Sequence, residues 1–280
     1  MEEIDFIENN ISLLKSSIDF DDIISNYLSE TYTDDEIREI NILEFRKDNV
    51  DKLQYRFSQI YNLDILSPEN GFTILNIADS DDLKIKRYLH RFLIYRNFIG
   101  GVRANVDGSS QLFEEISANA VKAFLGEGSD VIMVGQGRSN LTSERLEEIA
   151  EELHEKKGST HNLPKGAKDD GVDFIVYKNI DKRHVGNVIL LGQASVGKNY
   201  ANKKPINERW KNDYISYAVK PPIPVLSITH FLDESNLRKL HSDFGNALIF
   251  DRGRILKYFD VRDNHLNKKI VDYVNENIND

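Results

Sequence analysis

Asp173 and Gln193 are the residues of this sequence whose types and spacing best support chemistry. Asp173 stands inside the apolar run 172–177, where an unpaired carboxylate is costly to bury, and Gln193 closes a second apolar run, 187–193. About nine residues separate the two runs, and both are β-rich, which predicts an antiparallel pair. Such pairing brings the start of the first strand level with the end of the second. A carboxylate and an amide oxygen then converge at one edge of a sheet. Hard oxygen donors in that position suit Mg²⁺ or Mn²⁺. A cation held there polarises a phosphodiester and activates water. Asp169, Asp170 and Gly171 add acid and a flexible turn beside Asp173.

A third oxygen donor is expected from the preceding helix. Phe113, Ile116, Ala120 and Phe124 recur at helical spacing and define its buried face. At about 100° per residue, Glu114 falls about 100° from the centre of that face and Glu115 about 200°. Glu114 therefore reaches the core margin as a secondary metal ligand, and Glu115 points to water.

The elements around these residues read as two regions. Residues 1–100 are expected to be mainly helical and acidic: Ile4, Ile7, Ile11, Leu14 and Ile18 recur at helical spacing, Asp34-Asp35-Glu36 suits a helix start, and 83–98 is apolar with basic residues between. Gly100-Gly101 is the candidate hinge. In 101–280, Ser109 or Ser110 is placed to cap a helix closed by Gly126, followed by a strand over 131–134. Thr142 or Ser143 starts a second helix that runs to near Gly158. After the paired strands come a strand over 225–231, a helix from Asp233 to Gly245, a strand over 247–251 and a closing helix over 261–278. The predicted class is α/β, a mixed central sheet flanked by helices.

Composition narrows the partners. The chain has 280 residues, no cysteine and a net charge of −10. Its apolar runs fall short of the roughly 20 residues that cross a bilayer, so no membrane association is expected. The acidic start, Met1-Glu2-Glu3-Ile4-Asp5, is unlike a signal or transit peptide, and the absence of cysteine fits a reducing cytoplasm. The negative charge is uneven. Residues 1–100 hold 20 acidic and 11 basic side chains, whereas 156–220 hold 13 Lys and Arg against 6 Asp and Glu. The basic stretch coincides with the Asp173–Gln193 motif and suits nucleic acid. Lys168, Arg252 and Arg254 are the candidate phosphate contacts, the two arginines being equally readable as exposed turn charges. His184, His230, His241 and His265 show no metal-ligand spacing, and Trp210 is expected in the core. The acidic first hundred residues are a candidate surface for a protein partner, and an oligomer is compatible with the sequence.

The run Asp170-Gly171-Val172-Asp173, a β-hairpin and then Gln193 resembles the active-site hairpin of the PD-(D/E)xK restriction-endonuclease superfamily, closest to the Mrr-type branch with glutamine in place of the acid. Phe113-Glu114 resembles that superfamily's helix-borne glutamate. The resemblance covers about 109–200. It implies a restriction-endonuclease-like core and metal-dependent cleavage of DNA, in restriction or another antiviral defence. Asp173 and Gln193 would lie at the Mg²⁺ or Mn²⁺, with a lysine stabilising the transition state. Two positions after Gln193, where the superfamily keeps lysine, stands Ser195; Lys198 is the migrated candidate. Without a working lysine, the implied alternative is a non-catalytic scaffold that binds nucleic acid.

A rival reading uses the same residues. From Gly192 to Lys198 the chain is one residue short of a P-loop and follows an apolar strand, which would suit a nucleotide binder. Asn199 replaces the hydroxyl that binds Mg²⁺, and Pro205 arrives too early for the helix such a loop needs.

Overall fold

The computed structural model describes residues 28, 31–33, 48–49, 51–53, 55–56, 80–99, 108–135, 141–159, 163, 169–181, 186–196, 200, 203–219 and 221–278. The expected helices at Ile4–Ile18 and at Asp34-Asp35-Glu36, and the Gly100-Gly101 hinge, lie outside these residues. The chain divides into two compact units, one comprising 1–98 with 267–280 and the other 99–266.

In the first unit, helix α1 (Asp81–Ile99) opens with Asp81 and Asp82, acids where the helix dipole favours them. Leu89, Phe92, Leu93 and Ile94 are buried, and Phe92 meets Tyr273 edge-on at 5.2 Å between ring centroids.

The second unit is a five-stranded mixed sheet between layers of helix. Its strands are β1 (Ser129–Met133), β3 (Phe174–Lys178), β4 (Val188–Ser195), β6 (Ile223–Ile228) and β7 (Leu248–Phe250), in the order β1-β3-β4-β6-β7. β1, β3 and β4 run antiparallel to their neighbours, and β6 and β7 continue parallel to β4. β2 (Lys156–Lys157) and β5 (Ile215–Ser216) form a small separate ladder. The predicted class, a mixed α/β sheet flanked by helices, is what forms.

Helix α2 (Ser109–Leu125) packs against β1, β3 and β4. It turns Leu112, Phe113, Ile116, Ala120 and Val121 inward, which is the stripe its spacing predicts. Its ends differ from expectation in two ways. The N-cap is Gly108 in a left-handed conformation, and Ser109, one residue too late to cap, is buried in the first turn. Phe124 is 42% exposed and packs edge-on against Phe250 and Tyr258 at the margin of the layer. Helix α6 (Arg252–Tyr258) packs beside α2.

The opposite layer is formed by α3 (Ser143–Glu152), α4 (Glu208–Asn212) and α5 (Glu234–Asp243). Leu146, Ile149, Trp210 and Leu240 from these helices join Ile175, Tyr177, Ile189, Leu191, Leu226 and Ile249 from the sheet in one core cluster. Thr142 caps α3 through the Arg145 amide, and Asp233 caps α5 through the Asn236 amide. α3 stops at Glu152 rather than near Gly158, because Lys156 and Lys157 are drawn into the β2–β5 ladder. The closing helix, α7, is Asn264–Asn277.

Candidate active site

Hairpin register places the two central residues. Phe174 pairs with Gly192, so one residue farther along Asp173 comes level with Gln193. Asp173 is fixed on both sides: its amide donates to the Gly192 carbonyl at 2.8 Å, and its carbonyl accepts from the Val134 amide at 2.9 Å. Its carboxylate folds over β4, where Oδ2 accepts the Ala194 amide at 2.7 Å. Burial pushes this carboxyl up to about 6; the Ala194 hydrogen bond and the Lys203 charge oppose the rise and Asp169 adds to it.

Gln193 Oε1 is buried and accepts no hydrogen bond among the described residues. A buried acceptor left in that state costs about 1–3 kcal/mol, which makes it a natural ligand for a cation or acceptor of a water hydrogen bond. The turn before Asp173 closes on the same amide. A Cβ built on Gly171 would stand 3.7 Å from Gln193 Nε2. Asp170 and Gly171 both take positive φ, 50° and 87°, and Asp169 Oδ1 accepts the Gly171 amide at 2.8 Å.

Glu114 reaches this group from α2, partly buried as its helical angle predicts. Its carboxyl is pushed up to about 8, first by burial and then by the charges of Asp173, Asp169 and Glu115, with Lys203 opposing. Glu115 is itself only partly exposed, so it does not simply point to water. The charges of Asp173 and Asp169 both bear on Glu114, and that of Asp169 bears on Asp173.

Lys203 supplies the counter-charge. It lies in the irregular segment before α4, is exposed, and is near enough for its ammonium to lower both Glu114 and Asp173. Sequence reasoning missed it, because a lysine in Lys203-Lys204-Pro205 has no periodic signature. Lys198, the lysine chosen from sequence, lies outside the described residues, as does Lys168. Ser195 is buried at the end of β4.

The donors fit a hard divalent cation in chemistry. Asp173, Gln193 and Glu114 offer oxygen donors, Gln193 Oε1 is unsatisfied, and burial first, neighbouring acids second, raise both carboxyls. Mg²⁺ takes one or two carboxylates and keeps several waters. Among the described residues, no group of three or more acids or histidines is placed to hold a metal ion by itself.

Other sequence expectations are corrected. Arg252 and Arg254 sit in the first turn of α6 rather than in an exposed turn. Arg252 is fully buried, and Arg254 Nη1 donates to the Ile249 carbonyl at 2.7 Å. Asp251 is buried and caps the same helix, accepting from the Arg254 amide at 3.0 Å and the Leu232 amide at 3.1 Å. The P-loop reading fails on topology. Gly192 through Ser195 belong to β4, paired with β3 or β6, and form no phosphate-wrapping loop.

No protein-family model and no curated protein sequence matches the chain. Among solved structures, it is similar to the MspJI restriction endonuclease in complex with a 27-mer oligonucleotide, at 15% identity and a TM-score of 0.34. That similarity covers 74% of this chain and 41% of the other, so the chain spans less than half the length of the structure it matches.

Proposed function

We propose that the 99–266 unit is a Mg²⁺- or Mn²⁺-dependent endonuclease that hydrolyses DNA phosphodiester bonds, in the setting of restriction or another antiviral defence. One observation carries the reading: the hairpin register sets Asp173 level with the unsatisfied Gln193, where Glu114 and Lys203 bear on the same carboxylate. When bound, the cation supplies positive charge for the phosphoryl oxygens and lowers the pKa of its water. Asp173 and Gln193 hold the cation and Glu114 is the third oxygen. Lys203, in place of Lys198, sets an ammonium where negative charge develops as the phosphorus is attacked, a role that is strongest in a partly dehydrated site. The Ala194 amide orients Asp173, so that one carboxylate oxygen is held by backbone and the other remains for the ligand.

A second reading rests on Ser195, buried where a lysine would be expected. In that reading the unit binds nucleic acid as a scaffold and does not cut. Incubation with supercoiled plasmid and Mg²⁺ or Mn²⁺, beside Asp173→Ala and an EDTA control, separates the two. Nicking by the wild type alone supports the nuclease. Salt-sensitive DNA binding without cleavage supports the scaffold. Cleavage that survives Asp173→Ala removes Asp173 from the centre.

A further inference from the structure

We infer that Arg209 and Tyr214 are positioning residues that clamp Asp170 and so set the 169–173 turn against the segment bearing Lys203. The inference rests on the cation-binding reading above and assigns these side chains no contact with metal or substrate.

Asp170 lies three residues before Asp173 and is not among the proposed cation donors. Arg209 grips it in bidentate fashion, Nε to Oδ2 at 2.9 Å and Nη2 to Oδ1 at 2.8 Å. The Tyr214 hydroxyl donates to Oδ2 at 2.8 Å, and Asn207 Nδ2 reaches Oδ1 at 3.4 Å. Both carboxylate oxygens are therefore occupied by protein donors. Next to it, Trp210 Nε1 donates to the Asp169 carbonyl at 2.9 Å. A non-glycine residue at φ 50° is an unfavourable conformation that persists when its surroundings over-determine it, and these bonds do so.

The same donors belong to the segment that carries Lys203. Asn207 caps α4 through the Arg209 amide while its amide group faces Asp170. Ile206 is buried in the core, and Pro205 packs close to Gly245. Lys203 thus leaves from a stretch anchored three ways. A shift at Asp170 would change the spacing of Asp169 and Asp173 from Lys203 together. A fork-shaped guanidinium suits this role, because two parallel bonds fix angle as well as distance.

Trp210 makes the test direct, since it is the chain's only tryptophan and is bonded to the turn itself. Wild type, Arg209→Ala, Arg209→Lys, Tyr214→Phe and Asp173→Ala are titrated with Mn²⁺ by calorimetry. Acrylamide quenching of Trp210 is recorded without metal, and circular dichroism establishes that each variant is folded. The expected result is greater quenching in Arg209→Ala and a fall in Mn²⁺ affinity of about 10-fold, the low end of the effect of losing a direct partner of a metal ligand, because Arg209 acts through Asp170. Arg209→Lys recovers part of that affinity. Tyr214→Phe shows a smaller loss and carries the test if Arg209→Ala does not fold. Unchanged Trp210 quenching overturns the clamp. A loosened Trp210 with unchanged Mn²⁺ affinity overturns the positioning role and leaves a structural brace. Equal Mn²⁺ titrations of wild type and Asp173→Ala instead overturn the cation reading, and the positioning role with it, while the quenching still reports whether the turn is clamped.

Discussion

Replacing Glu114 by glutamine is expected to stabilise the cation-free protein at alkaline pH and to change it little near pH 5. The sign follows from proton linkage. Glu114 is raised from 4.5 to about 8 in the folded protein, chiefly by burial and by the charge of Asp173. Between those values the folded chain holds a proton that the unfolded chain has released, so stability falls as pH rises. The full loss is reached above about 8 and is absent below 4.5. At about 1.4 kcal/mol for each pH unit, the upper limit is about 5 kcal/mol. Solvent screening of a carboxyl that is only partly buried brings the expectation to on the order of 2 kcal/mol. For a unit of this size that is a difference in Tm on the order of 5 °C. The assay is thermal or urea unfolding in EDTA at about pH 5 and about pH 9. The wild type should lose stability across this interval more steeply than Glu114→Gln, and the two should converge in acid. Adding Mn²⁺ at alkaline pH should raise the wild type preferentially, because ligand that binds only the folded state stabilises it by mass action. Parallel pH profiles for the two proteins would refute the claim that Glu114 is held among repelling acids.

Lys203→Ala should slow plasmid cleavage by about 100-fold, and it should raise the Glu114 and Asp173 titrations observed by NMR, since its charge now lowers both. An unchanged rate would return the role to another lysine. Gly192→Ala should destabilise the sheet by about 1–3 kcal/mol in urea titrations, because a Cβ there would stand 2.1 Å from the buried Phe174 ring. Asp251→Ala should cost about 1–2 kcal/mol by the same measurement, since one carboxylate caps α6 and also holds the Leu232 amide. The loss should appear in stability, with cation affinity unaffected.

The parts of the site that were legible in the sequence are those governed by short-range periodicity. Two β-rich apolar runs about nine residues apart implied the β3–β4 hairpin, and antiparallel register then made Asp173 and Gln193 neighbours. Helical spacing through Phe113, Ile116 and Ala120 likewise put Glu114 at the core margin, where it lies. The same reasoning overreached at Phe124, one turn beyond the sheet's cover, and at Ser109, where a left-handed glycine took the cap. Arg252 and Arg254 misled because charge implies exposure by default. The start of α6 buries Arg252 and leaves Arg254 half-buried, bonded to a backbone carbonyl. Lys203, Arg209 and Tyr214 had no local signal at all. Their partners are 30 to 44 residues away along the chain, and only the tertiary path of the crossover brings them to Asp170 and Asp173.

Under the proposed reading, that path would let a lysine ten residues beyond Gln193 stand in for one two residues beyond it. β4 is the strand at which the sheet changes sense, antiparallel to β3 and parallel to β6. Antiparallel pairing brings the start of β3, and hence Asp173, to the end of β4. Parallel pairing has a different consequence: the chain leaving β4 must return to the opposite edge of the sheet before it can enter β6. The crossover therefore begins at the end of β4, level with the start of β3 and so with Asp173. Lys203 lies in that initial stretch, and the Arg209–Asp170 pair ties the stretch down as it leaves. A side chain on β4 itself is confined to one face by the pleat, and Ser195 is already buried there. A lysine on the crossover has no such restriction and keeps its ammonium exposed while its charge reaches both Glu114 and Asp173. In the proposed reading, the change of strand sense at β4 is thus what would let the hairpin supply the oxygens and the crossover the lysine charge at one end of the sheet.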